Sequence, residues 1–483
     1  MDSNFPRTAR LPLPLALAAS FALASPVPGA PGSGTALAAR TLMLATAASP
    51  VATAAVFNCA DSGAGSLRDA IGSAADGATI DMSQLQCSTI TLASGSLSVT
   101  QNNLTVLGPG RASLQIKPDA GKKFPVFAHA GSGLLTIGSV RVGYGLNYDP
   151  NIGGGCITSP NGSVRVVDAE VSHCFSYQTA YGAVRGGGAI YAKSNVTIDD
   201  SLITQNIATA GASIPHVAGG GAFAAGNIFV HRSVIDTNQA SSGSVATGAA
   251  GWGGGLSAKR SIEIVASTIS RNYAGVGQGA SSNYKGYGGG VFALNYYGGS
   301  TLTVTNSTVS NNFSGLYVGG INSSAQTHVS NSTIAFNAAR HGYSQTSKSN
   351  VGIGLLVYSQ AVTLDSTIIA KNSNISGQQE SYDFSLSNAT VTGSNNLITI
   401  SGVSPPDTLT SDPKLVALAD NGGPTRTHAL GALSPAIGAG SNPLNLPSDQ
   451  RGPGFSRVFA RFVDIGAFQS GDAIFTNGLD PPS

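Results

Sequence analysis

At 483 residues the chain is long enough for several ordinary domains or for one long repeat domain. Charged residues make up only 10 % of it, against about 25 % in ordinary soluble domains, while glycine alone contributes 63 residues. A formal net charge of +2, with no run of five Lys or Arg, gives no reason to expect nucleic acid as a partner. The scarcity of Lys, Glu and Met argues against a helical protein.

The N-terminus reads as an export signal. Arg7 and Arg10 precede "LPLPLALAASFALAS", a run of signal-core length, and Ala22-Leu23-Ala24 offers a small-residue cleavage site. Residues 1–55 are therefore read as signal peptide and Ala/Pro-rich leader, and the destination as extracellular or the cell surface. Nothing downstream reaches 18 unbroken apolar residues, so no transmembrane span is expected in the mature chain.

Residues 56–130 read as an N-terminal cap and first coils. Between Cys59 and Cys87, "GSLRDAIGSA" (Gly65 to Ala74) has the spacing of a short amphipathic helix, and Ser66 with Asp69 that of a capping box. With Cys156 and Cys174 there are four cysteines, which allow three pairings. Sequence neighbours are the simplest, and an exported chain favours disulfides. No C-x-x-C supports a zinc or thioredoxin site.

From 131 to 400 the sequence repeats itself. Glycine stations end at Gly155, Gly188, Gly221, Gly255, Gly290, Gly320 and Gly354, in steps of 30 to 35 residues. Each is followed by short alternating apolar pieces and a closing station: Cys174, then Asn206, Asn238, Asn272, Asn312, Asn337 and Asn372. Such a period means a solenoid, and alternation with period two means strands. Three strands per coil, stacked in register about 4.8 Å apart, make an all-β parallel β-helix. Asn at the coil-closing turn tolerates left-handed backbone, and stacked amides can bond one another as a ladder. The glycines suit a sharp corner with close backbone approach. Loops such as "IATAGASIPHVA" (Ile207 to Ala218) leave from one corner and are expected to line one side.

Further motifs carry a family resemblance. "NCADSGAGSLRDAI" (Asn58 to Ile71) resembles the start of bacterial exported parallel β-helix proteins of the polymorphic outer-membrane-repeat type. "DPKLVALADNGGPTRTHALGALSPAIGAG" (Asp412 to Gly440), "DQRG" (Asp449 to Gly452) and "DIGAFQ" (Asp464 to Gln469) resemble the choice-of-anchor Q domain, and "IFTNGLDPPS" (Ile474 to Ser483) a C-terminal signature of such proteins. Gly438 and Gln469 stand where that pattern usually has acidic residues. The resemblance implies a right-handed helix and an exported, surface setting, with 401–483 as a small C-terminal region. It implies no activity.

Two functions follow. One is an adhesin-like or structural scaffold that binds glycans or surface proteins through its loop-bearing side, without cofactor or metal. Trp252 and the tyrosines Tyr181, Tyr273, Tyr284, Tyr287, Tyr296 and Tyr297 are its candidate contacts. The alternative is a polysaccharide lyase or glycoside hydrolase acting on an acidic glycan. For that, Asp168, Asp200 and Arg232 share one turn station in successive coils, with Asp199 and His231 just before. Two carboxylates one strand spacing apart beside His and Arg are the residue types acid/base chemistry needs. Oligomeric state is not legible in the sequence.

Overall fold

The computed structural model describes residues 52–149, 151–178, 185–211, 216–242, 250–276, 286–340, 352–375 and 382–471, all within one compact unit, Val51–Ser483. Residues 1–51 of the leader, Tyr181, Tyr284 and the tail from Ile474 lie outside the described residues, whereas Thr53–Ala55, at the end of the stretch read as leader, pair in parallel with Thr79–Asp81 as a strand of the solenoid.

Alternation builds the solenoid. In Val196–Asp199, Val196 and Ile198 are fully buried while Thr197 is half-exposed. The strand pairs in parallel, residue for residue, with Ile228–His231, and that with Ile262–Val265. Stacked inward, Ile198, Val230, Ile264, Val304, Val329 and Leu364 form one continuous apolar column. Each such side chain contributes about 1.5–3 kcal/mol of burial.

Five parallel sheets, here A to E, contain 12, 11, 10, 8 and 4 strands. One coil visits them in the order C, A, B, D, E, as Ile190–Ala192, Val196–Asp199, Leu202–Thr204, Ile207–Ala210 and His216–Ala218. Parallel strands joined by such crossovers wind right-handed. Three strands per coil therefore describe sheets A, B and C, whereas the middle coils carry two more. The stretch expected as a loop, Ile207 to Ala218, contains a D strand and an E strand. Their small residues pair backbone to backbone, as in Ile207–Ala210 against Gln239–Ser242.

Helix α1 (Leu67–Ser73) buries Leu67, Ala70 and Ile71 and packs on the first C strand, Leu97–Val99. The Ser66 hydroxyl accepts from the Asp69 N–H at 3.2 Å, and the Asp69 carboxylate accepts from the Gly65 N–H at 3.2 Å. The reciprocal bond thus lands one residue earlier than in a capping box.

After Leu397–Ile398 the coils end, and the chain turns back along the outer face of sheet B. There Thr268 donates to the Arg426 carbonyl at 2.6 Å, and Thr308 to Gln450 Oε1 at 2.6 Å. Ser310 Oγ lies 2.8 Å from His428 Nε2, and the Ala467 N–H donates to Thr333 Oγ1 at 3.1 Å. Sheet B carries hydroxyls here instead of large apolar groups, which lets a polar flank dock. The "DQRG" and "DIGAFQ" motifs form the interior of that flank. Arg451 pairs with Asp449 at 2.7 Å, and its guanidinium sits 4.0 Å from the ring centres of both Phe455 and Phe468. Gln469 Oε1 accepts from the Asp464 N–H at 3.0 Å and from Arg457 at 3.3 Å. At Gly438, φ is +69° and the N–H donates to Asp464 Oδ1 at 2.8 Å.

Candidate functional site

The Asn column is a continuous chain of amides. Nδ2 of Asn206 donates to Oδ1 of Asn238 at 2.9 Å, and the pattern repeats through Asn272, Asn312, Asn337 and Asn372 at 2.9–3.0 Å. Each Oδ1 also accepts the backbone N–H of the station before it, as Asn272 does from Asn238 at 3.0 Å. The left-handed residue is not the Asn but its predecessor: Gln205, Thr237, Arg271, Asn311, Phe336 and Lys371 have φ of 54° to 62°. That turn aims the next side chain inward, where the amide meets the glycine station. A Cβ on Gly255 would lie 3.1 Å from Asn272 Cγ and 2.8 Å from the Gly290 carbonyl. The glycines therefore make room for the ladder as well as for the corner.

At Cys174 the column is covalent, since Cys156 and Cys174 form a disulfide across the same corner and Cys59 pairs with Cys87.

A second ladder was not read from the sequence. Ser201, Ser233, Ser267, Ser307 and Ser332 each accept a backbone N–H from the preceding coil at 3.0–3.1 Å. Its signal was the serine that ends "DDS", "HRS", "VAS", "TNS" and "SNS".

At the station before this column stand Asp168 (followed by Ala169), Asp200 and Arg232, with φ of 46°, 49° and 47°. Val167, Asp199, His231 and Val265 align in register in sheet A. The candidate acid/base groups are thus neighbours, but they are divided among separate partners. Asp168 accepts from the Ser139 hydroxyl at 3.0 Å. Asp200 is clamped by Arg232 through Nε at 2.7 Å and Nη2 at 2.6 Å. Asp199 takes Arg165 Nε at 2.8 Å and His231 Nδ1 at 2.9 Å, and His231 Nε2 lies 3.1 Å from Glu263. Burial pushes the Asp199 carboxyl up, but the bonds from His231 and Arg165 outweigh it and hold the group below the usual range. Hydrogen bonding to Asp200 raises Arg232. Further along the column Asn306 and Asn331 donate to the Ser448 and Ser441 carbonyls of the flank, at 3.0 and 2.8 Å.

The aromatic candidates sit on strands more than on loops. Trp252 stacks on His216 and Phe292 with centroids 4.1 and 5.1 Å apart, and Tyr273 stacks on Phe313 at 5.6 Å. Tyr287 pairs with Tyr317 at 5.4 Å. These are rungs that brace neighbouring coils. Tyr296 and Tyr297 differ: both are more than half exposed, beneath Lys259 at 5.1 Å and Arg260 at 4.9 Å.

Tyr297 borders a cleft of about 560 Å³ where sheet C turns into sheet A. Its wall includes Lys193, Lys259, Arg260, Tyr191 and Tyr297, and it contains no carboxylate. Between the cations lie Ala225 and Gly226, whose small size opens the notch. A third polar column forms its floor: Asn195 Oδ1 accepts the Asn227 N–H, and Asn227 Oδ1 the Ser261 N–H, both at 3.0 Å. With each oxygen used by backbone, the two Nδ2 groups have no protein acceptor among the described residues. Sequence reasoning did not single out this cleft. The signal was "AKSN" (Ala192 to Asn195) and "AKRS" (Ala258 to Ser261), a basic residue at one station two coils apart.

Among the described residues, no group of three or more His, Cys, Asp or Glu gathers as a metal site would, and no helix is long and apolar enough to cross a membrane.

No protein-family model matches the chain, and no curated protein matches it. Among solved structures it is similar to the crystal structure of the pectate lyase Pel9A, with a TM-score of 0.45 and 15 % identity, over 87 % of this chain and 97 % of that one. Nothing about activity passes across a likeness of that degree.

Proposed function

We propose that the protein is an exported, surface-displayed or released β-helix scaffold that binds its partner along the side of the rod rather than transforming it. The observation that carries this reading is the contrast between the two polar sites. Asp199, Asp200, His231 and Arg232 are engaged with one another or with Arg165 and Glu263. The cleft between sheets C and A lies elsewhere, with cations and aromatic rings but no carboxylate in its wall. General acid/base cleavage most often uses an imidazole or a carboxyl, with Lys and Tyr as rarer agents; the cleft wall holds no imidazole or carboxyl, and its Lys and Tyr side chains are read as ligand contacts.

The signal-like leader and the two disulfides support export, and the motifs of the C-terminal flank support an anchored or surface setting.

The test is a turnover screen of the purified full-length chain on pectin, alginate and neutral glycans, reading unsaturated products and reducing ends. The expected result is no product. Turnover that disappears in Asp200→Ala would replace this reading with the lyase or hydrolase.

A further inference from the structure

We infer that the cleft between sheets C and A binds an acidic polysaccharide, a chain of uronic-acid sugars lying along the rod; this rests on the reading of the protein as a glycan-binding scaffold.

Position comes first. The strands Ile190–Ala192, Ala222–Ala224 and Leu256–Ala258 are consecutive rungs of sheet C. Lys193 and Lys259 follow the first and the third, so their backbones stand two rungs, or about 9–10 Å, apart along the axis. The intervening rung carries Ala225 and Gly226, and a Cβ on Gly226 would meet the Ser194 carbonyl at 2.4 Å. The gap between the cations is therefore set by the fold. Two rungs are on the order of a disaccharide's length, so an extended uronate chain would present the carboxylates of every second sugar to Lys193 and to the Lys259–Arg260 pair.

Chemistry favours the same ligand. Arg260 offers a planar fork matched to a carboxylate. Lys193 and Arg260 are exposed and form no salt bridge among the described residues. The Nδ2 groups of Asn195 and Asn227 are donors for sugar hydroxyls, which an acidic peptide lacks. Tyr297, 56 % exposed, supplies an apolar face for a sugar ring. A net charge of only +2 argues that the attraction is local to this cleft and not a property of the whole surface.

The experiment is titration calorimetry of the full-length chain with oligogalacturonate and oligoguluronate, with neutral cello-oligosaccharide, poly-glutamate and a DNA duplex as comparators. Product formation is followed in the same samples. The expected result is saturable, salt-sensitive binding of an oligouronate, at least tenfold weaker in the Lys193→Ala/Arg260→Ala double variant and severalfold weaker in Tyr297→Ala. The melting temperature should not change, because these side chains are exposed, and Asp200→Ala should bind as the parent does. Oligouronate binding that survives the double variant would overturn the cleft assignment while leaving the scaffold reading intact. Failure to bind any oligouronate, or equal binding of poly-glutamate or DNA, would overturn the acidic-sugar assignment. Product formation would overturn the scaffold reading itself.

Discussion

Asn372 passes the amide ladder to Asp383: its Nδ2 and its backbone N–H both donate to Oδ1 of Asp383 at 2.8 Å. Every asparagine in the column accepts on one side and donates on the other, so the chain has a direction. A carboxylate only accepts, which makes it a chemically sensible terminus. The other oxygen of Asp383 accepts from the Ile400 N–H at 3.1 Å and from the Thr399 hydroxyl. The end of the column is thus tied to the last residues of the coils.

The middle of the ladder is where a break is most costly. Asn272→Ala removes a donor from the Ile235 carbonyl and from Asn312, and an acceptor from both nitrogens of Asn238. With about 1–3 kcal/mol for each buried group left unpaired, and partial relaxation, a loss of about 3–5 kcal/mol is expected. The denaturant midpoint measures it. Asn272→Asp keeps the accepting oxygen but sets a second acceptor against the Ile235 carbonyl and Asn312 Oδ1 in a buried site, so it should lose at least as much as Asn272→Ala.

Two glycines separate backbone preference from crowding. Gly299 has φ of +70° and open space around a would-be Cβ, so Gly299→Ala should cost about 1–2 kcal/mol from the left-handed backbone alone. Gly253 has φ of +62°, but its Cβ would meet the Leu256 carbonyl at 2.1 Å. Adding overpacking to the same backbone contribution, Gly253→Ala should cost about 2–5 kcal/mol. Paired thermal melts decide whether contact with backbone is the larger constraint.

Arg451 holds the flank together. Its side chain is 4 % exposed, that of Asp449 is fully buried, and both faces of the guanidinium are covered by rings. Lysine can neither fork onto the carboxylate nor stack as a plane, so Arg451→Lys should lose about 3–5 kcal/mol, the usual result of breaking a buried pair. Limited proteolysis should then cut first within residues 401–471, leaving a resistant fragment of coils. Uniform degradation of the whole chain would contradict this.

Two buried imidazoles make the fold acid-sensitive. His428 Nδ1 lies 2.7 Å from the Val416 carbonyl and Nε2 2.8 Å from Ser310 Oγ, so the neutral ring donates to one and accepts from the other. His129 likewise faces the Gln101 and Asn102 carbonyls through Nε2, both at 3.1 Å, and Ser159 Oγ through Nδ1. Burial depresses both below 6.5. The unfolded chain therefore takes up these protons first, so stability is complete above pH 6.5 and declines as pH falls through and below it. Each group can remove up to about 1.4 kcal/mol per pH unit. Urea midpoints at pH 8 and pH 5 should differ accordingly, and the difference should shrink in His428→Gln.

The coils were legible because their determinants are local and repeated. Val196 and Ile198 alternate within four residues, and Gly188 and Asn206 recur at every coil. Sheets D and E were not legible, because segments such as Gln239–Ser242 carry no apolar alternation; they are strands because a neighbouring coil supplies backbone partners. The course of the flank was equally hidden. Its motifs could be recognised, but nothing in "DQRG" says that Gln450 reaches Thr308. At the corner column the alignment of Asp168, Asp200 and Arg232 was readable from the period. Which groups pair was not, since that depends on side-chain reach between rungs. The cleft was not legible because Lys193 and Lys259 stand two coils apart, with Ala225 at the same station between them, so no repeat in adjacent coils marks the site.

The return of the flank along sheet B has a consequence for how the protein is made. A coil can settle on its predecessor as soon as it emerges, since its ladder bonds span only 25 to 40 residues, whereas Gln450 must find Thr268 across 182 residues. Contacts of such long sequence range form slowly. A nascent rod therefore spends the whole of its later synthesis with a hydroxyl-studded strip uncovered. The flank closes a surface laid down more than a hundred residues before it, so a chain stalled just after the last coil would carry every coil and still lack the cover of sheet B from Thr268 to Thr333.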